Sequence, residues 1–161
     1  MTKITPFLWF GGNALQAARY YVSIFPRSKV KTILRYNAVS AKAAGHKKGS
    51  VLTVGFELDG QPFTALNGNP LFQFTEAISF VVHCRTQREV DRYWRRLSAG
   101  GRPGQCGWLK DRFGVSWQIV PDEVLNLLGD RDPEKSRRVM AALIQMTKLD
   151  LAILRRAHRG R

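Results

Sequence analysis

The chain has 161 residues, 44% hydrophobic and 11% aromatic, which is enough for one domain or for two small modules around one core. No run of about 18 apolar residues is present, and the first residues lack the apolar stretch of a secretory signal, so we expect neither membrane insertion nor export. The net charge of +14 favours anionic partners. Because Cys84 and Cys106 fit neither a disulfide framework nor a zinc site, we expect free thiols in the cytoplasm.

The first quarter of the sequence predicts a strand, a helix and a second strand. Residues 4–10 alternate as a strand, after which Asn13 and Gln16 have the spacing of a capping box at a helix start. Apolar residues at helical spacing continue to Pro26, which ends the helix. Residues 29–36 then predict the second strand.

A hairpin follows a segment without strong periodicity. Residues 37–50 are rich in Ala, Gly, Lys and Ser, and we interpret them as a mobile loop. The strands at 51–58 and 61–66 flank Asp59-Gly60, a strong signal for a type I′ turn.

The pattern then starts again. Residues 76–83 predict an apolar strand, and Thr86 with Glu89 predicts a second capped helix. Two short strands at 105–110 and 115–120 come next. The turn between them is predicted from its sequence, DRFG, in which Asp can cap its own backbone and Gly tolerates positive φ. Side chains of the last strand alternate between an apolar face and a face with a hydroxyl and an amide.

These elements predict an α+β fold with two β-α-β-β-β modules, the second of which lacks one clear strand. We place module one at residues 1–70, module two at 75–121, and a helical appendage of the same single domain at 122–161. The appendage has apolar residues at helical spacing that cover either the sheet or a second subunit; they include Val139, Leu143, Met146, Leu149, Leu151, Ile153 and Leu154.

Several long segments resemble one family. They are PFLWFGGNALQAARYYVSIFP, SVLTVGFELDGQPFTALNGNP, FTEAISFVVHC, GQCGWLKDRFGVSWQIVP and DPEKSRRVMAALIQM. Together they resemble the PhnB-like branch of the vicinal oxygen chelate superfamily, which includes glyoxalase I and the bleomycin resistance proteins. The resemblance implies two modules whose sheets curl into a half-barrel around a cavity, and a homodimer. Some members of this branch are labelled 3-demethylubiquinone-9 3-methyltransferase, but the sequence lacks the β-α-β alternation and glycine-rich loop that would hold S-adenosylmethionine.

The resemblance also implies where a divalent metal would bind. The family's four ligand positions fall here at Thr5 or Pro6, Asn67, Ala77 and Gln118. A cation of this kind prefers imidazole nitrogen or anionic oxygen, and these residues supply two neutral amides at most. We therefore expect no metal and no other cofactor.

Alternation along the strands directs six side chains towards the presumed cavity as candidate ligand-binding residues: Phe7, Trp9, Asn67, Ser79, Ser116 and Gln118. A packed core in place of a ligand pocket is the other interpretation. His83 at a strand end can serve as a base and Cys106 as a reactive thiol, although both positions also suit ordinary structural residues. We interpret Trp108 and Trp117 as core anchors.

Three functions remain open from the sequence. The first is metal-free binding of a small molecule, with anionic character favoured by the basic surface. The second is a lyase- or isomerase-type enzyme that uses a displaced metal site, Cys106 or His83. The third is a basic protein associated with nucleic acid, although no nucleic-acid-binding motif accompanies the scattered charge, so we expect no specific nucleic-acid partner.

Overall fold

The computed structural model describes residues 4–160 and divides into two compact units between Gln73 and Phe74. The elements of the first unit are β1 (Phe7–Phe10), α1 (Ala14–Ile24), β2 (Lys29–Arg35), α2 (Ala38–Ala44), β3 (Val51–Leu58) and β4 (Gln61–Asn67). Those of the second unit are β5 (Phe80–Cys84), α3 (Gln87–Ser98), β6 (Arg102–Pro103), β7 (Trp108–Lys110), β8 (Ser116–Pro121), α4 (Asp122–Leu128), α5 (Pro133–Leu143) and α6 (Leu151–Arg159).

Each unit contains one four-stranded mixed sheet. The strand order is β1-β4-β3-β2 in the first sheet and β5-β8-β7-β6 in the second. In both sheets the first strand pairs parallel to the last strand, and the remaining pairs are antiparallel. The predicted α+β class and the tandem β-α-β-β-β modules are therefore confirmed.

One face of each sheet is packed by the helix of its module. In the first unit Tyr21 of α1 stacks on Phe56 of β3, which stacks in turn on Phe63 of β4. In the second unit the buried face of α3 presents Val90, Tyr93 and Leu97 to the sheet. The opposite face of each sheet, called its open face below, is the one that this helix does not pack.

Asn67 determines how α1 begins. The Asn13 side chain makes no capping hydrogen bond, so the predicted capping box with Gln16 is wrong. Instead Asn67 Oδ1, at the end of β4, accepts the hydrogen bond from the Ala14 amide at 2.8 Å, and Asn67 Nδ2 donates to the Val51 carbonyl at 3.1 Å. The first amides of a helix need outside acceptors, and here another strand supplies one.

The start of α3 agrees more closely with its prediction. Thr86 Oγ1 accepts a hydrogen bond from the Glu89 amide at 3.2 Å, as in a capping box. The Glu89 carboxylate reaches the amide of Arg85 at 2.7 Å, one residue before the cap. The predicted type I′ turn is also present, since Asp59 and Gly60 both have positive φ, at 49° and 85°.

Residues 37–50 contain helix α2, so their prediction as a mobile loop is wrong. The side chain of Asn37 accepts from the Ser40 amide, and Ser40 Oγ accepts from the Asn37 amide, which completes a capping box. Gly45 ends the helix in the left-handed region with φ of 69°. The capping signal was present in the sequence, but the many Ala and Lys residues lack an apolar stripe.

Three strand predictions in the second unit need correction. The strand missing from the prediction exists as β6, the second strand of its module, a two-residue edge strand that includes Pro103, which has no amide to donate. The strand predicted at 105–110 begins only at Trp108, because Cys106 and Gly107 have positive φ and turn the chain. The strand predicted at 76–83 begins only at Phe80, opposite Trp117 of β8.

The appendage helices pack within their own unit. A buried cluster comprises Val124, Val139, Met146, Leu149, Leu151 and Leu154. The apolar residues, for which the sequence allowed packing on the sheet or on a second subunit, therefore form a core within the chain. In the last segment only Ile153 of these residues is clearly exposed, at 39%.

Asn67→Ala tests the remote cap of α1. The substitution leaves a buried helix amide and the Val51 carbonyl without their side-chain partner, so we expect the free energy of unfolding to fall by about 1–3 kcal/mol. The measurement is urea denaturation followed by circular dichroism. The matched control is Asn69→Ala, which is exposed and offers only its backbone carbonyl to Trp9, and it should stay within about 0.5 kcal/mol. Equal effects of both substitutions would contradict the cap.

Candidate functional site

The open face of the second sheet brings together a histidine, a glutamine and several apolar side chains. Val81 lies opposite Gln118, which lies opposite Trp108, and His83 lies opposite Val120. Side chains alternate along a strand, so these five point away from the face that is packed by α3. None of them is buried by that packing, and Val81 is 45% exposed.

A pocket of about 380 Å³ lies on this face, between the sheet and the appendage. Its volume falls in the range that small-molecule sites occupy. The lining from the sheet and its turn is Val81, His83, Cys106, Trp108, Gln118 and Val120, and the lining from the appendage is Val124, Leu125, Leu128, Leu143 and Leu149. The pocket is therefore mostly apolar, and its polar groups are an imidazole, an amide, a thiol and the indole N–H of Trp108.

The pocket imidazole is oriented by a carboxylate. His83 Nδ1 lies 2.9 Å from Asp122 Oδ1 at the start of α4. Because a carboxylate only accepts, Nδ1 carries the proton, and Nε2 of the neutral ring keeps a lone pair. His83 can thus accept a hydrogen bond or a proton from a bound molecule.

The pocket amide is held by a second predicted residue. Gln118 Nε2 donates to Ser79 Oγ at 2.9 Å, so the structure brings Ser79 and Gln118 together. Ser116 lies two residues earlier on the same face of β8, but it lines a different, smaller cavity and is 2% exposed.

The predicted residues Phe7, Trp9 and Asn67 belong to the first unit. Phe7 is exposed on the open face of its own sheet, at 59%. Trp9 donates from its indole nitrogen to the Asn69 carbonyl at 2.8 Å and meets Phe72 edge-on at a centroid distance of 5.1 Å. Asn67 is 7% exposed, and both ends of its side chain are engaged with backbone groups.

The residues at the family's metal-ligand positions do not fit a divalent cation. The Asn67 oxygen already accepts a helix amide, and Ala77 offers no donor atom. Within residues 4–160, moreover, no three His, Cys, Asp or Glu side chains are grouped closely enough to hold a metal ion. No chemical step through such an ion can be derived from this donor set.

Sequence reasoning missed most of the pocket lining. Strand alternation could have identified three lining residues that share a face with Gln118: Val81, Val120 and Trp108. The interpretation of Trp108 as a core anchor is wrong, because this face is not the one packed by α3. Trp117 is such an anchor, at 3% exposure, whereas Trp108 is only half-buried. The appendage residues could not be placed, because no local pattern shows which sheet face a following helix covers.

Hydrogen bonds fix the appendage against the sheet. The Cys106 amide donates to the Met146 carbonyl at 2.7 Å, and the Gly107 amide donates to the Thr147 carbonyl at 2.8 Å. On the neighbouring helix, Gln87 accepts from the Leu151 amide at 2.9 Å and donates to the Leu149 carbonyl at 3.1 Å.

Comparisons with known proteins agree with this fold. The family model described as 3-demethylubiquinone-9 3-methyltransferase matches residues 2–120. A PhnB protein from Bacillus cereus is 35% identical with a TM-score of 0.66, over 74% of this chain and 99% of that one. Protein PA1353 from Pseudomonas aeruginosa is 18% identical with a TM-score of 0.60, over 75% and 98%.

The chain belongs to the family described as 3-demethylubiquinone-9 3-methyltransferase, and the PhnB-like resemblance drawn from its sequence is confirmed; the last of the five segments that suggested it, residues 132–146, lies after the family match. No curated protein matches it. The family match ends at residue 120, so α4, α5 and α6 follow the matched residues. The helical wall of the pocket is therefore built by a part of the chain beyond the family match.

The two thiols lie in contrasting environments. Cys84 is fully buried, and this burial, reinforced by the nearby Glu89 and Asp122 carboxylates, raises the pKa of its thiol to about 12. Cys106 is half-buried and lines the pocket. A thiol reacts as its thiolate, so Cys84 is protected both by burial and by its pKa.

We expect a thiol reagent such as 5,5′-dithiobis(2-nitrobenzoate) to label one cysteine per folded chain at pH 8. At that pH only about one in 10⁴ Cys84 side chains is ionised, and the ionised fraction grows only as the pH rises towards its pKa. Absorbance at 412 nm should report a second thiol after unfolding in guanidinium. Cys106→Ser is the control, and rapid labelling of that folded variant would contradict the assignment.

Proposed function

We propose that this protein binds a small, largely apolar molecule without a metal ion, in the pocket between the open face of the second sheet and the appendage. The observation that supports this most directly is the lining of the 380 Å³ pocket, in which aliphatic and indole surface surrounds a few polar groups. This composition is typical of small-molecule sites, where apolar area supplies affinity and polar groups fix orientation.

The polar groups define what the ligand needs besides its apolar body. His83 offers a lone pair held in place by Asp122, so a hydroxyl or amide N–H on the ligand would be recognised there. Gln118 keeps an amide oxygen as a further acceptor while its nitrogen bonds Ser79. The net charge of +14 supports anionic character elsewhere in the molecule, because the long-range field concentrates anions near the protein.

The metal-free part of the proposal rests on donor chemistry. Asn67 and Gln118 are neutral and already hydrogen-bonded, and neither Ala77 nor Pro6 supplies a side-chain ligand. Stoichiometric zinc, nickel, iron or manganese in the purified protein, measured by inductively coupled plasma mass spectrometry, would overturn this part.

A pocket-filling substitution tests where the ligand binds. The probe is 8-anilinonaphthalene-1-sulfonate, an apolar anion whose fluorescence rises in apolar sites. Val81→Trp places an indole in the pocket, and we expect it to weaken probe binding at least about tenfold, which corresponds to about 1.4 kcal/mol. Val81 is partly exposed, so its replacement does not disturb the face packed by α3.

Val39→Trp is the matched control, because Val39 is 80% exposed on α2 of the first unit. It should leave the dissociation constant within about twofold, a change below 0.5 kcal/mol. Probe binding should also persist in excess EDTA. Equal affinity for the Val81→Trp protein and the unaltered protein would contradict this location of the site.

We also propose a homodimer in the cytoplasm. Phe7 and Leu34 are each 59% exposed on the open face of the first sheet, which supports an apolar contact between copies. The two cysteines, both free, support a reducing compartment. None of the helices within residues 4–160 has the length and apolar character needed to cross a membrane.

Light scattering coupled to size-exclusion chromatography tests the dimer. We expect a mass twice the chain mass of 18.2 kDa at micromolar concentration. Phe7→Glu with Leu34→Glu should shift the protein towards the monomer, because a buried unpaired carboxylate strongly opposes association. A monomeric unaltered protein would remove the dimer proposal.

A further inference from the structure

A second and smaller cavity lies on the open face of the second sheet. Its volume is about 90 Å³, which suffices for a few water molecules or for one carboxylate or phosphate group. Trp108 lines both this cavity and the apolar pocket. The remaining lining consists of the polar residues Glu76, Arg102, Lys110 and Ser116 together with Pro103, Gly104 and Leu109.

Strand register places three of these side chains in one row. Arg102 of β6 pairs with Lys110 of β7, and Lys110 pairs with Ser116 of β8. Directly opposite residues on adjacent strands point to the same face, with Cβ atoms about 5 Å apart. The Arg102, Lys110 and Ser116 side chains therefore leave the sheet side by side on one face.

The hydroxyl in this row lacks a partner. Ser116 is 2% exposed, and its Oγ has no hydrogen-bond partner among the described residues. Burying a hydroxyl without a hydrogen bond is unfavourable, so such atoms in folded proteins usually face a water or a ligand. A hydroxyl beside two cations is suited to donate to an oxyanion.

The ammonium of the row is already held by a carboxylate. Lys110 Nζ lies 2.6 Å from Glu76 Oε1, and the hydrogen bond from Lys110 holds the pKa of the Glu76 carboxyl below its usual value. The two side chains differ in exposure, at 21% for Lys110 and 63% for Glu76. Glu76 precedes β5 and is the more exposed partner, whereas Lys110 belongs to β7, so replacing the carboxylate by an external anion would leave the lysine in the sheet.

We propose that Arg102, Lys110 and Ser116 form a binding site for a small oxyanion, either a carboxylate or a phosphate group, and that the Glu76 carboxylate is an internal competitor for this site. The site stands on these four residues and does not depend on the ligand of the apolar pocket. Its volume of about 90 Å³ matches one anionic group.

The experiment titrates the full chain, labelled with ¹⁵N, with potassium phosphate and separately with sodium acetate at pH 7 and constant ionic strength. We expect saturable shifts of the backbone amides near Arg102, Lys110 and Ser116. Ser116→Ala should weaken binding by about three- to tenfold, and Lys110→Met by about tenfold or more, as expected for losing a neutral and a charge-assisted hydrogen bond. The tighter of the two probes identifies the preferred anion.

Glu76→Gln is the decisive variant, because it removes a negative charge and keeps the side-chain size. Competition predicts binding at least about threefold tighter, whereas a supporting role for the ion pair predicts weaker binding. Lys29→Met, on the exposed β2 strand of the first unit, loses the same charge as Lys110→Met and should leave affinity within about twofold. Unchanged or weaker binding by Glu76→Gln would overturn the competitor role of Glu76, and the absence of saturable shifts near the row would overturn the site itself.

Discussion

The pocket depends on one backbone junction between the turn before β7 and the chain before α6. Cys106 and Gly107 both have positive φ, and their amides donate to the Met146 and Thr147 carbonyls. Gly107 permits this approach because a Cβ there would lie 2.9 Å from the Ile119 carbonyl oxygen and 3.1 Å from Leu149 Cγ. The junction thereby places Leu149, which lines the pocket, directly against the turn that carries Cys106, while Gln87 holds the same segment from α3.

The two faces of the second sheet differ in what covers them. The face towards α3 is closed by ordinary apolar packing around Trp117, whose indole nitrogen donates to the buried Asp111 carboxylate at 2.8 Å. The open face separates into a region covered by aliphatic appendage residues and a region of charged side chains, and Trp108 borders both. A ligand with an apolar body and a ligand with an anionic group are therefore suited to neighbouring places on one surface.

Sequence alone predicted the modules because their signals are local: the Asp59-Gly60 turn, the Thr86 cap and the alternation along β8. It failed where a distant group decides the structure. Asn13 stands at the capping position before α1, yet the side chain of Asn67 accepts the hydrogen bond from the first helical amide. Cys106 fits the sequence pattern of a strand, but its amide donates to the Met146 carbonyl instead of pairing in the sheet. The site was predicted only in part for the same reason, since Gln118 and Ser79 follow from strand alternation but the helical wall does not.

The Asn67 cap has a consequence for synthesis on the ribosome. The acceptor for the Ala14 amide lies 53 residues further along the chain, so α1 leaves the ribosome with its first turn incomplete. At about 5–20 residues per second, the missing oxygen follows after roughly 3–10 s. During that interval the nascent helix has only its own short hydrogen-bonded ladder, and its order depends on the arrival of the last strand of the module.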